Sequence, residues 1–164
     1  KANQQLTDVK YFTSRMRNDP GKEKRQKTYI EALETTGISI TYGHYQSNID
    51  ECYRCGHTWS DPNEKMTDVN IATQMIIDAY QNKYDTAIFI SGDSDLVPPI
   101  KAIHNNFKNK RVVVIFPPER FNRSVALVAK GSYILGRKKL KDNQLPETIT
   151  KKDDYMLRRP KEWK

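Results

Sequence analysis

The chain has 164 residues, of which 37% are hydrophobic, so we expect a single domain with a modest core. Its 28 Lys and Arg residues outnumber its 20 Asp and Glu residues, and the formal charge of +8 favours a polyanionic partner, nucleic acid first of all. No apolar run approaches the ~20 residues of a transmembrane helix, and no signal peptide is visible, which predicts a soluble, cytoplasmic protein without a membrane partner.

The first part of the chain predicts two strands joined by a helix. Val9 to Thr13 predicts a strand, residues 24–34 a helix with an apolar face, and Ile38 to Tyr42 a strand with one exposed face. A basic surface loop with an Asp-Pro-Gly turn precedes the helix, and residues 43–51 predict another loop.

From Thr67 onward, helical and strand patterns alternate, which predicts βαβ units and a parallel sheet. The apolar runs show no polar alternation, so we expect strands that are buried on both faces. In chain order the predicted elements are a helix at Thr67 to Tyr80, a strand at Thr86 to Ile90, a helix at Val97 to Phe107, a strand at Arg111 to Phe116, a helix at Arg123 to Ala129 and a short apolar run at Tyr133 to Leu135.

The composition changes near residue 137. Residues 1–136 form the predicted domain, and a knuckle-like insertion is expected at residues 50–60. Residues 137–164 are rich in charge, contain prolines and show little periodicity. They predict a basic C-terminal tail that lies on the surface or is disordered.

Three carboxylates are candidates for chemistry. Asp93 and Asp95 follow the strand that ends at Ile90, with Asp95 a candidate N-cap of the next helix. Asp68 begins the helix that leads into the same strand. Because ligands of open α/β sheets bind beyond the carboxyl ends of the strands, we expect the three acids to converge.

Clustered carboxylates suit Mg²⁺ or Mn²⁺, and such a cation can stabilise the charge that develops during phosphodiester cleavage. The other interpretation is that Asp93 and Asp95 are turn and cap residues, because Asp is favoured there for local hydrogen bonding. The spacing alone does not decide between the two.

Two segments carry a family signature. Glu64 to Ala79, EKMTDVNIATQMIIDA, and Tyr84 to Ile100, YDTAIFISGDSDLVPPI, resemble the bacterial NYN domains, also called LabA-like, of the PIN-like nucleases. DVNIA followed by SGDSDLVP at this distance is a specific match. The resemblance extends through VKYFTSR, VVVIFPP, QLPETI and RRPKEW, and so covers nearly the whole chain.

The resemblance implies a three-layer α/β/α PIN-like fold with a central, mainly parallel sheet. It also implies a metal-dependent ribonuclease that hydrolyses RNA phosphodiester bonds. By matching motif, Asp68, Asp93 and Asp95 would be the catalytic acids that bind Mg²⁺ or Mn²⁺. Ser91 and Asn70 would lie beside them and orient water or phosphate.

The chain departs from the family pattern at its start. Family members begin with a strand that bears an Asp-Gly-x-Asn type motif, and no such motif precedes Val9. Asp8 lies at the wrong end of its strand for this role. A sheet without its central strand would leave interior backbone groups unpaired, at roughly 1 to 3 kcal/mol each. We therefore expect that the sequence lacks an N-terminal segment of the natural protein, or that another polypeptide supplies the strand.

Two cysteines form the second constellation. Cys52, Cys55 and His57 have the spacing of half a zinc site, and His44 is the candidate fourth ligand for Zn²⁺. The alternative is a small loop with two free thiols, packed against Trp59.

Basic residues follow the predicted strand ends. Arg15 and Arg17 follow one strand, and Arg120 and Arg123 follow another, so we expect both pairs at the edge that carries the acids, where they would bind phosphates. Lys65 is a further candidate for the scissile phosphate. The alternative is that these side chains are solvated surface residues.

These patterns predict a metal-dependent ribonuclease that acts on single-stranded or structured RNA. A homo-oligomer is compatible with the sequence. One alternative is a non-catalytic nucleic-acid-binding or regulatory module that retains the fold. A second is a phosphotransfer or phosphatase enzyme, because an Asp-x-Asp after a buried strand also serves that chemistry. The sequence around Asp68 argues against the second.

Overall fold

The computed structural model describes residues 3–17 and 19–163. Among these residues, no helix is long and apolar enough to cross a membrane. Two compact units make up the chain, the first from residues 1–70 with 145–164 and the second from residues 71–144. In chain order the elements are β1 (Lys10–Thr13), α1 (Pro20–Glu34), β2 (Ser39–Tyr42), β3 (His44–Glu51), β4 (Thr58–Lys65), α2 (Thr67–Tyr80), β5 (Thr86–Ile90), a 3₁₀ turn (Ser94–Leu96), α3 (Val97–Asn106), β6 (Arg111–Phe116), α4 (Arg123–Val128), β7 (Ser132–Ile134), α5 (Arg137–Asp142), β8 (Thr148–Thr150) and β9 (Met156–Arg158).

The first unit contains a βαβ unit. β1 pairs in parallel with β2, and α1 connects them. Asp19 caps α1, because its Oδ1 accepts a hydrogen bond from the Lys22 N–H at 2.9 Å. Pro20 follows in the first turn, where its missing N–H costs no hydrogen bond, because the first N–H groups of a helix have no intrahelical partner. The helix buries Ile30 and Leu33, as its apolar pattern predicts.

A long hairpin follows. β3 and β4 pair as antiparallel strands over their whole length, from His44 opposite Lys65 to Glu51 opposite Thr58. The prediction of a loop at residues 43–51 was therefore wrong. Residues 44–51 lack a regular alternation of apolar and polar side chains, and it is the ladder of backbone hydrogen bonds that makes the segment a strand.

The C-terminal segment carries regular structure that its charge-rich composition does not indicate. β8 and β9 form an antiparallel pair, and Leu157 of β9 is buried. Lys151 Nζ lies 3.3 Å from Glu31 Oε2 on α1, and the Trp163 ring meets the Tyr29 ring edge-on with centroids 5.8 Å apart. These contacts tie the C-terminal segment to α1 within the first unit.

The second unit is built around β6. β5, β6 and β7 form a parallel sheet in that order, so β6 is its central strand. Val112, Val114 and Phe116 of β6 are fully buried. They belong to a core that also contains Met75, Ala79, Leu96, Ile100, Ile103 and Val125. The predicted mixed α/β class with parallel strands and helices is confirmed.

β5 differs from the prediction of a strand buried on both faces. Ala87 and Phe89 pack against the core, whereas Ile88 and Ile90 are exposed. The alternation follows from strand geometry, because successive side chains point to opposite faces of the sheet.

His104 of α3 completes the backbone hydrogen bonding of β6. β7 begins to pair with β6 only at Val114, and the N–H of Val112 donates instead to His104 Nε2 at 3.1 Å. Partial burial lowers the pKa of His104, and the nearby charge of Lys130 lowers it further. The neutral imidazole is the form that accepts this bond, since a protonated ring has no free lone pair.

We expect His104 to make the stability of the second unit depend on pH. Its pKa is lower in the folded chain than in the unfolded chain, where it is about 6.5. The unfolded chain therefore takes up the proton first, so the stabilisation is complete above about pH 6.5 and is lost as the pH falls towards the folded pKa. Urea unfolding at about pH 7.5 and about pH 5.5 should show this loss, of the order of one hydrogen bond or about 1 kcal/mol.

His104→Gln keeps a hydrogen-bond acceptor but does not titrate, so it should flatten this pH dependence. His57→Gln, at an exposed histidine, is the matched control and should leave it unchanged. An equal pH dependence in the wild type and His104→Gln would contradict the assignment.

Candidate functional site

The loop after β5 is shaped by its own side chains. Asp93 is the N-cap of the 3₁₀ turn, and its Oδ1 accepts the Asp95 N–H at 2.9 Å. The Asp93 N–H in turn donates to Ser91 Oγ at 3.1 Å. The sequence predicted Asp95 as the N-cap, and this prediction was wrong, because Asp93 is the residue whose side chain caps the turn. Both carboxylates are exposed in the same loop, at the carboxyl end of a parallel strand.

The loop after β6 is locked to the loop after β5. A Cβ atom at Gly92 would overlap the carbonyl oxygen of Arg120, so only glycine permits this approach. Asn122 Nδ2 donates to the Gly92 carbonyl at 3.0 Å, while Asn122 Oδ1 accepts the Ser124 N–H at 2.9 Å and so caps α4. One side chain thus joins the two loops and starts a helix.

A cleft of about 440 Å³ lies between these two loops. Acidic, basic and hydroxyl side chains share it, so a phosphate oxygen and a cation could both find ligands there. It is lined by Ile90, Ser91, Gly92, Asp93, Ser94, Pro117, Arg120 and Asn122. The structure thus brings together three of the predicted site residues, namely Ser91, Asp93 and Arg120.

Several predicted site residues of the first unit lie at or near the start of α2. Asp68 and Asn70 lie in the first turn of this helix, and Asn70 Nδ2 donates to the Tyr42 carbonyl at 3.4 Å. Lys65 is the last residue of β4. In the second unit, Arg123 is exposed at the start of α4.

Gln26 of α1 fixes the segment that follows β1. Its Nε2 donates to the Ser14 carbonyl at 2.7 Å, and its Oε1 accepts the Met16 N–H at 2.8 Å. The Arg15 guanidinium between them lies 4.7 Å from the centroid of the Tyr42 ring. Arg17 follows as an exposed residue in the same segment.

The donor chemistry of the loop after β5 fits a hard divalent cation. Within residues 3–17 and 19–163, no three His, Cys, Asp or Glu side chains form a group that could hold a metal ion. Mg²⁺, however, is commonly held by only one or two carboxylates, with water and substrate phosphate as its other ligands. Asp93 and Asp95 supply such a pair in one loop.

The segment between β3 and β4, residues 52–57, is a tight turn that we call the cysteine turn. The Gly56 N–H donates to the Cys52 carbonyl at 2.9 Å, the Cys52 N–H donates to the His57 carbonyl at 2.9 Å, and Gly56 has a φ of +66°. Hydrogen bonds from the backbone N–H groups of Arg54 and Cys55, and then from the Cys55 thiol, lower the pKa of Cys52. Both cysteines are free thiols.

The structure separates His44 from the other three predicted zinc ligands. His44 is the first residue of β3, whereas the cysteine turn follows its last. At about 3.3 Å per residue, the eight residues of β3 place His44 roughly 23 Å from that end. His57 stacks on Trp59, with ring centroids 6.3 Å apart. The four residues therefore do not surround a common point.

The comparisons with known proteins agree with the sequence motifs. The family model of the NYN domain matches residues 3–135. The chain belongs to the NYN domain family. This family is part of the PIN-like nuclease superfamily, so the predicted membership is confirmed.

One curated relative is the 6-hydroxy-3-succinoylpyridine 3-monooxygenase HspA of Pseudomonas putida (strain DSM 28022 / S16). It is 26% identical to this NYN domain chain in an alignment of 138 residues, and the match covers 71% of this chain and 43% of that protein. The chain thus spans less than half the length of this relative.

A crystal structure of a protein of unknown function from Vibrio parahaemolyticus RIMD 2210633 is also similar. It superposes with a TM-score of 0.58 at 22% sequence identity, over 83% of this chain and 74% of that chain. At this identity the similarity shows a shared fold.

Sequence reasoning missed Asn122 as a residue that shapes the site. An Asn directly before a helix is a recognised N-cap signal, and Phe121-Asn122-Arg123-Ser124 carries it. Its hydrogen bond to Gly92 has no sequence signal, because it depends on the two strand ends being neighbours.

We expect Gly92→Ala to destabilise the second unit by about 1 to 3 kcal/mol, because the new methyl group forces the two loops apart. Gly136→Ala is the matched control, since a Cβ at Gly136 would have no atom within 4 Å. Urea unfolding of both variants tests this. Equal stabilities for the two variants would contradict the close packing at Gly92.

Proposed function

We propose that this NYN domain is a metal-dependent ribonuclease that hydrolyses RNA phosphodiester bonds. The observation that carries the proposal is the cleft in which Asp93 and Arg120 line opposite loops at the carboxyl end of parallel strands. Ligands of open α/β sheets bind at this place. Membership of the PIN-like nuclease superfamily and the formal charge of +8 support RNA as the partner.

Asp93 and Asp95 would hold Mg²⁺ or Mn²⁺. Such a cation, when bound, neutralises charge on the phosphate and makes water more acidic. The hydrogen bonds from Asp95 to Asp93 and from Asp93 to Ser91 keep the carboxylates in a fixed loop, so little reorganisation is needed.

Arg120 would bind a non-bridging phosphate oxygen, since a guanidinium offers several donors in a fixed plane. Asn122 would hold its loop in place. We extend the proposal to the residues that the family motif adds. Asp68 would be the third acid, and the phosphate or water contacts would come from Arg15, Arg17, Lys65, Asn70 and Arg123. The complete domain would have the three-layer α/β/α arrangement.

A second candidate is a nucleic-acid-binding module without catalysis. Two observations favour it. The chain is strongly basic, and among the described residues no three His, Cys, Asp or Glu side chains form a group that could hold a metal ion. Such a module would bind RNA in EDTA, with an affinity that falls steeply as salt is added.

The monooxygenase name of the relative in Pseudomonas putida points to a different chemistry, the hydroxylation of a pyridine ring. The cleft between the β5 and β6 loops is lined largely by Ser, Asp, Arg and Asn side chains, and this polar lining favours a phosphate over an aromatic ring. We therefore retain the ribonuclease.

We expect the chain to cleave a labelled single-stranded RNA in Mn²⁺, and to lose this activity in EDTA. Asp93→Asn should lower the rate at least about 100-fold, because the variant removes a charge that would face the cation and the phosphate. Asparagine still offers an oxygen to the Asp95 N–H, so the loop should stay folded. Gel analysis of the products over time measures the rate.

Asp142→Asn is the matched control, because Asp142 is an exposed aspartate at the end of α5 and does not line the cleft. Its rate should equal that of the wild type. Equal rates for the wild type and Asp93→Asn would contradict the proposed role of Asp93. A folded wild type that binds RNA in EDTA and cleaves none in Mn²⁺ would establish the binding module.

A further inference from the structure

The cysteine turn is built to present sulfur ligands. Two residues separate Cys52 from Cys55, and Gly56 takes the left-handed φ that lets the chain reverse directly after the second cysteine. The thiolate is the form of cysteine that binds metals.

The turn supplies half of a metal site. A structural zinc ion takes four ligands in a tetrahedron, and a Cys-x-x-Cys pair supplies two of them. The geometry of the hairpin excludes His44 as a further ligand, and His57 is engaged in stacking on Trp59. Within the described residues, no third His, Cys, Asp or Glu joins the two cysteines in a ligand group.

We propose that Cys52 and Cys55 bind one zinc ion together with Cys52 and Cys55 of a second copy of this chain. The ion would join two chains through their cysteine turns. The proposal is independent of the ribonuclease function, because it involves none of the residues that line the cleft.

Exposure of the turn supports a second copy as the source of the other ligands. Cys55 is exposed, Cys52 is partly exposed, and Tyr53 between them is wholly exposed, so the turn is accessible to a second copy. The chain holds two cysteines in all, and two copies supply the four thiolates of a common structural zinc site.

Charge and apolar surface around the turn suit this arrangement. A zinc ion with four thiolates carries a net negative charge, and Arg54, one from each chain, would lie beside it as a counter-charge. Tyr53 and Trp59 are exposed at and next to the turn, at 107% and 47% of their reference areas, and offer apolar surface that a second turn could cover.

The test measures molar mass and zinc content together. The purified chain is stripped with EDTA, dialysed and titrated with zinc, and size-exclusion chromatography with light scattering is combined with elemental analysis of each peak. We expect a monomer of 19.1 kDa without zinc, and with zinc a species of twice that mass that contains one zinc ion per two chains. Cobalt in place of zinc should give the visible absorption of a tetrahedral thiolate site.

Cys52→Ser and Cys55→Ser should stay monomeric and bind no zinc at the same concentrations, with unchanged far-ultraviolet circular dichroism. His44→Ala is the matched control and should dimerise as the wild type does. If a serine variant fails to fold, the zinc-to-chain ratio of the wild type still decides the question.

Three results would overturn the proposal. One is a monomer that binds one zinc ion per chain, as a site completed by His57 would give. Another is a dimer of the same mass with and without zinc, and the last is a chain that binds no zinc. RNA cleavage by the stripped chain in Mn²⁺ is scored separately, so the ribonuclease proposal stands or falls on its own measurement.

Discussion

The contact between Gly92 and the Arg120 carbonyl is the constraint on which the candidate site depends. It lets the backbones that leave β5 and β6 touch, and Asn122 then bonds one loop to the other while capping α4. The relative position of the acid-bearing loop and the arginine-bearing loop is therefore set by backbone packing together with the Asn122 hydrogen bond. A site for charged ligands gains from this, since fixed dipoles and charges need little reorganisation when a ligand binds.

Both loops leave a sheet whose central strand is β6. Val112, Val114 and Phe116 of β6 are fully buried, and each neighbour of β6 is a parallel strand. β7 pairs with β6 only from Val114 onward, and His104 accepts the hydrogen bond of the Val112 N–H in place of a strand carbonyl. Burying an unpaired N–H costs about 1 to 3 kcal/mol, so this histidine has a structural task that its position on a helix does not suggest.

Much of this architecture could be read from the sequence, and the failures have physical reasons. Apolar runs that end in Ser-Gly-Asp or Pro-Pro gave the positions of β5 and β6, and the motif around Asp93 indicated the family. The hairpin was missed because its strands are held by backbone pairing without an apolar pattern. The exposed face of β5 was missed because an apolar run does not say what lies over each face. The role of Asn122 depends on the approach of two loops that are distant in sequence.

The hairpin of β3 and β4 begins and ends at the same place, because its first and last residues, His44 and Lys65, pair with each other. Opposite residues of an antiparallel ladder lie only about 5 Å apart at their Cα atoms. An insertion that closes on itself in this way can lengthen, shorten or change its tip without shifting the register of the strands on either side. The cysteine turn is therefore free to vary as a module, while β2 and α2 keep the spacing that the domain requires.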